Sequence, residues 1–201
     1  MSSRASAIAV AAALLAVSCL VLTARAQLPG GGQSPAPPMH PGTKLSFPIT
    51  LGSAKLEQSA YFPAVPGARE AAYTYLYSAG RMQIFVDVFD NGRRVPSGTS
   101  SPLIASQFDA ALGDAERLLK TSGYTRFERQ TVASTCSYAS VAFRCIVYSA
   151  VSGMNRLYSK LLMTGYHDSF VKIHIDWSQS NGQTIADADK ALNEFVPALM
   201  H

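Results

Sequence analysis

Two runs joined by a three-residue turn constrain this chain more than any other feature. Ala72–Ser78 reads A-Y-T-Y-L-Y-S and Met82–Asp90 reads M-Q-I-F-V-D-V-F-D. Both have the two-residue period of a strand, whose successive side chains point to opposite faces. Tyr73, Tyr75 and Tyr77 share one face of the first run; Met82, Ile84, Val86 and Val88 share one face of the second. With Ala79-Gly80-Arg81 as a tight turn between them, the runs predict an antiparallel hairpin. Asn91-Gly92 closes it with turn chemistry, and Arg93–Ser100 reads as a polar loop.

The rest of the chain extends this pattern. Ser101 is suited to cap a helix and Pro102 to occupy its first turn. Ile104, Phe108, Ala111, Leu112, Ala115, Leu118 and Leu119 recur at intervals of three and four, and Gly123 marks the end. Four strands are predicted next, at Arg126–Thr135, Ala142–Val151, Arg156–Tyr166 and Phe170–Trp177. A final helix starts near Thr184, with Asp187 and Asp189 in its first turn and Ile185, Ala188, Leu192, Phe195, Val196 and Leu199 as its apolar stripe. Pro197 is expected to end or kink it. A short strand near Leu45–Leu51 is placed at an edge. The fold class is therefore α+β, an antiparallel sheet of about six strands packed by two amphipathic helices in the order β-β-α-β-β-β-β-α.

The N-terminus reads as an address rather than as structure. Arg4 precedes an apolar stretch from Ile8 to Leu22, and Ala24-Arg25-Ala26 fits a small-x-small cleavage rule. Residues 1–26 are expected to be a signal peptide cut before Gln27. The alternatives are an uncleaved anchor and, at Cys19, a lipoprotein site, for which the flanking residues fit poorly. Residues 27–43, rich in Gly, Pro and Ser, are expected to be a flexible tether outside the fold. Residues 44–201 then form a single domain. The mature chain is predicted to have no transmembrane segment and a periplasmic or secreted location. Loss of Arg4 and Arg25 leaves 15 basic against 13 acidic residues, with no basic cluster larger than Arg93-Arg94. A nucleic-acid partner would want a basic stripe, so that class is set aside.

Cys136 and Cys145 remain after cleavage. Their spacing is not a zinc pattern. They are equidistant from Ser140-Val141, so a hairpin turning there puts both sulfurs on facing strands, within reach of a structural disulfide. Two free thiols or a redox pair are the other readings; redox pairs favour C-x-x-C.

Among candidate chemical groups, Lys172, His174 and Asp176 share one face of a strand while Val171, Ile173, Ile175 and Trp177 take the other. His174 beside Asp176 could form a base with its orienting carboxylate or half a metal site, with His167 and Asp168 in the preceding turn. His40 and His201 lie near the ends of the mature chain. The alternative is a solvent-facing strand. Tyr73, Tyr75 and Tyr77, with Phe85 and Phe89 on the partner strand, form a second candidate surface for a ligand or a protein; the alternative is a face covered by a helix. Pro96–Pro102 lacks the lysine of a phosphate loop.

The element order, together with Leu157-Tyr158-Ser159-Lys160-Leu161-Leu162-Met163-Thr164-Gly165-Tyr166, then Phe170-Val171-Lys172-Ile173-His174-Ile175 and a closing helix, resembles the PsbP/DcrB-like α/β/α sandwich group of exported or lumenal accessory domains. It also resembles a set of uncharacterised proteobacterial exported proteins of similar layout. The resemblance implies a sheet between helices and a non-enzymatic, protein-associated role, with no catalytic residue or cofactor to carry over. The expectation is an interaction or accessory module with an unknown envelope protein as partner. The alternatives are a small-ligand or lipid-binding domain, and a metal-dependent or acid–base enzyme using His174 and Asp176.

Overall fold

Nine strands pair into one antiparallel sheet in the computed structural model, which describes residues 36–64 and 71–200. They are β1 (Thr50–Leu51), β2 (Ala54–Phe62), β3 (Ala72–Ala79), β4 (Met82–Phe89), β5 (Arg126–Arg129), β6 (Ser134–Tyr138), β7 (Val141–Ser152), β8 (Asn155–Tyr166) and β9 (Ser169–Ser178). Their order is β1-β2-β3-β4-β9-β8-β7-β5, with β6 further along the β7 edge that β5 occupies. The predicted leader, residues 27–35 of the predicted tether and His201 lie outside the described residues.

The β3–β4 hairpin forms as its alternation predicts, with Tyr77 opposite Ile84 and Ala79 opposite Met82. Three strands join the expected six: β1 lies at the end of the short edge segment placed at Leu45–Leu51, and two more arise for local reasons. In β2 the pairing shifts between Leu56 and Gln58, a bulge that breaks the two-residue period. The predicted strand Arg126–Thr135 is two strands, because its middle folds in on itself. Gln130 and Thr131 both donate their N–H to Val147 O, at 2.8 and 3.3 Å, and Thr131 Oγ1 accepts from Val147 N.

Two helices cover opposite faces. In α1 (Pro102–Thr121), Ser101 Oγ accepts the Leu103 N–H at 3.2 Å, satisfying a donor that has no partner within the helix. Its buried residues Ile104, Phe108, Leu112 and Leu119 join Ile146, Tyr148, Leu157, Leu161 and Met163 of the sheet in one cluster. In α2 (Ile185–Met200), Leu192, Phe195, Val196 and Leu199 pack with Tyr77, Ile84, Phe143 and Ile175 in a second cluster. Thr184 and Asp187 bond reciprocally at its start: Thr184 N donates to Asp187 Oδ2 at 2.8 Å and Asp187 N to Thr184 Oγ1 at 3.3 Å. Pro197 does not end α2, which runs on to Met200. The missing proline N–H costs one intrahelical bond, and the burial of Leu199 and Met200 holds the last turn against the sheet.

The loop before α1 is pinned to the end of β8. Gly98 and Gly165 exchange backbone hydrogen bonds of 2.9 Å in both directions. A Cβ on Gly165 would lie 1.9 Å from Pro96 O, so only glycine admits the crossing.

Residues 36–43 belong to the packed body, which corrects the expectation of a tether up to residue 43. His40 and Thr43 are buried, as are Leu45 and Phe47 beyond them. Pro and Gly composition alone suggests a flexible chain, but here the prolines bring a short apolar segment onto the sheet.

No helix among the described residues is long and apolar enough to cross a membrane. Cys136 and Cys145 form a disulfide with Cα atoms 6.1 Å apart, a bond that suits an oxidising compartment. Cys136 sits opposite Phe143 and Cys145 opposite Ser134, so the cysteines are diagonal rather than facing neighbours.

Candidate functional site

The two predicted surface sets lie on opposite faces of the sheet. Tyr73, Tyr75 and Tyr77 point to the α2 face and are buried. The covering chain is residues 36–48. Phe47 stacks on Tyr75 with ring centroids 3.5 Å apart, and His40 meets Tyr73 edge-on at 4.5 Å. Tyr75 OH donates to Pro37 O at 2.8 Å and Tyr77 OH to Pro48 O at 2.9 Å. Burial pushes both phenols well above the usual tyrosine range, so they remain donors. Phe195 of α2 covers Tyr77 from the side. The tyrosines therefore form an interior platform, the covered-face alternative, with the strap as well as α2 as the cover, rather than a candidate surface open to a ligand or partner. Phe85 and Phe89 are not on this platform. Phe85 lies opposite Leu76, one residue out of phase with the tyrosines, and Phe89 packs with Phe170 in the α1 cluster.

Lys172, His174 and Asp176 share the other face of β9, as their alternation predicts. Their side chains retain 21%, 24% and 13% of full exposure. α1 packs against β5, β7 and β8, and these three residues stand beside it with the β3 and β4 residues of the same face. Lys172 Nζ pairs with Asp87 Oδ2 at 2.6 Å, and Thr74 Oγ1 donates to Asp87 Oδ1 at 2.6 Å. Phe85 lies directly across from His174, with ring centroids 5.6 Å apart.

His174 and Asp176 have partners that the sequence pattern missed. His174 Nε2 lies 2.8 Å from Asp176 Oδ1 and 3.0 Å from Tyr148 OH, and Ser159 Oγ donates to the same Asp176 oxygen. An ionised carboxylate only accepts, so this arrangement puts a proton on Nε2. Ser159 and Tyr148 are fully buried, and burial holds the Tyr148 phenol far above its usual range. The signal that could have found them was register, since Ser159 stands opposite both Asp176 and Tyr148.

The remaining candidates disperse. His167, in the β8–β9 turn, packs its ring against Tyr166, seven residues and roughly 23 Å of strand from His174. Asp168 pairs with Arg94 at 3.2 Å on the surface. His40 is on the opposite face, buried rather than at a mobile end. Among the described residues no group of three metal-ligating side chains comes together. An open recess of about 530 Å³ lies at the sheet edge between Ala36, Pro38, Phe47, Ile49, Leu56 and Tyr75, with no helix residue in its lining.

No family model, no curated protein and no solved structure matches this chain.

Proposed function

We propose that this chain is an exported, non-enzymatic interaction module. It binds a protein partner of the envelope or extracellular space through the face carrying Phe85, Lys172, His174 and Asp176. One observation carries the reading: an aromatic ring, a cation, an imidazole and a carboxylate lie in adjacent rows of a sheet face beside the helix that covers its other half. Aromatic residues within a polar rim suit protein contacts. Neighbouring partners hold all of these side chains in place, so binding costs little side-chain entropy.

The disulfide and the sequence of the N-terminal leader support an exported location, in the periplasm or outside the cell. The resemblance to PsbP/DcrB-like accessory domains supports the same role. Lys172→Glu reverses the charge at the centre of the face. The test is the affinity of the purified partner, captured with the wild-type protein, for Lys172→Glu and for Phe85→Ala. A loss of about tenfold or more with a native circular dichroism spectrum is the expected result; unchanged affinity in both variants rejects the face.

A second reading, acid–base chemistry, has one support in the Ser159–Asp176–His174–Tyr148 chain. In that arrangement Nδ1 of His174 is the only histidine nitrogen left to act as a base, because Nε2 carries its proton toward Asp176. His174→Gln separates the two readings. Under the acid–base reading it abolishes an activity; under the interaction reading there is no activity to lose, and it weakens partner binding along with the other face variants.

A further inference from the structure

Residues 36–48 form a self-bonded turn before they reach the sheet. His40 N donates to Leu45 O and Lys44 N to His40 O, both at 2.9 Å, and Phe47 N donates to Pro38 O at 2.6 Å. The turn is therefore a unit, and it meets the sheet through a defined interface: His40 on Tyr73, Phe47 on Tyr75, and two tyrosine hydroxyls on Pro37 O and Pro48 O. We propose that this strap is an acid-released latch, seated only while His40 is neutral, and that acidification frees residues 36–48 as a unit to uncover Tyr73 and Tyr75 while the strands beneath stay paired.

Geometry sets the requirement for a neutral ring. His40 is fully buried; its Nδ1 accepts the Thr43 N–H at 3.0 Å and also stands 3.1 Å from Thr43 Oγ1. A proton on Nδ1 would oppose the Thr43 N–H and turn to the Thr43 hydroxyl as its acceptor, at a buried site where the charged ring has lost its water. Charged and polar groups of the strap and of the sheet face the imidazole beside Thr43. Lys44, on the strap, opposes its charge; Asp90, at the end of β4, favours it; Tyr73, on β3, offers a ring edge. Burial outweighs the Asp90 attraction and lowers the His40 pKa to about 4, against 6.5 for an exposed histidine. The released strap binds a proton more readily than the seated one. The latch is thus fully favoured above pH 6.5 and weakens as pH falls toward 4. Between pH 7.5 and 4.5 this linkage raises the released population by tens of fold, about 70-fold for these two values.

Hydrogen exchange followed by mass spectrometry tests this on the purified protein, with intrinsic exchange rates matched between pH 7.5 and 4.5. The expected result is a rise of tens of fold in exchange opening for peptides covering residues 36–48, with peptides from β8 and β9 unchanged. A strap that opens no more at pH 4.5, or only together with β8 and β9, overturns the proposal. His40→Gln keeps an amide acceptor but does not titrate, so its strap should exchange independently of pH; a persistent acid response overturns the assignment to His40. Should that variant fold poorly, an NMR titration of the wild type decides. A His40 midpoint below pH 5 supports the latch, and one near 6.5 overturns it.

Discussion

Lys160 Nζ sits 2.5 Å from Asp189 Oδ1, joining a nearly buried cation of β8 to the second turn of α2. Tyr138 OH donates to the same oxygen at 2.7 Å, and Lys160 also lies over the Tyr138 ring. Asp189 is thus turned to the sheet and serves as a clamp, where the sequence suggested a first-turn dipole role. Burial first, and then the bond to Asp189, push the Tyr138 phenol well above the usual tyrosine range. Asp189→Ala would strand the Lys160 ammonium at 11% side-chain exposure. Because Asp189 itself is 39% exposed, the loss is expected at about 2 kcal/mol, below that of a fully buried pair. Lys160→Met with Asp189→Asn should recover part of it. Urea unfolding of the three proteins measures both effects.

Gly165→Ala is expected to destabilise by about 1–3 kcal/mol, because the added methyl meets the Pro96 carbonyl and Ile104 Cδ1. The loss should appear as a lower Tm and as faster amide exchange at Gly98. Gly153→Ala serves as a control with open space around the new methyl, although its positive φ carries some backbone strain of its own.

The disulfide closes a loop of ten residues that already form a β6–β7 hairpin. The chain-entropy relation gives about 3 kcal/mol for a loop of this length. Reduction should lower the urea midpoint accordingly without changing the far-ultraviolet dichroism in water. Thiol labelling should find no reactive sulfhydryl at Cys136 or Cys145 before reductant is added, and labelling of both would contradict the bond.

Much of the architecture is written in short-range periodicity. β3, β4, β7, β8 and β9 are legible because each has one face aligned every second residue, and α1 is legible from Ser101, Pro102 and its apolar stripe. β2 is hidden by its bulge, and β5 and β6 look like one strand because Val147 absorbs the extra residue between them. The strap is illegible for a different reason. Its order comes from three tyrosines about thirty residues downstream, and no local pattern in a proline-rich segment encodes that contact. The face of Lys172, His174 and Asp176 follows from alternation alone. Their partners do not, because Tyr148, Ser159 and Asp87 enter through the register of three neighbouring strands. The same register separates Phe85 from the tyrosines, since the residue facing Tyr75 is Val86.

The binding role of the Phe85–Lys172–His174–Asp176 face is tested most directly by placing a photo-reactive phenylalanine analogue at position 85 and, separately, at position 117 on an exposed site of α1. Both proteins are irradiated in intact cells and their adducts compared. The account predicts one discrete protein adduct from position 85, lost when Lys172→Glu is added, and none from position 117. Equal labelling from both positions, or no adduct from position 85, would contradict it.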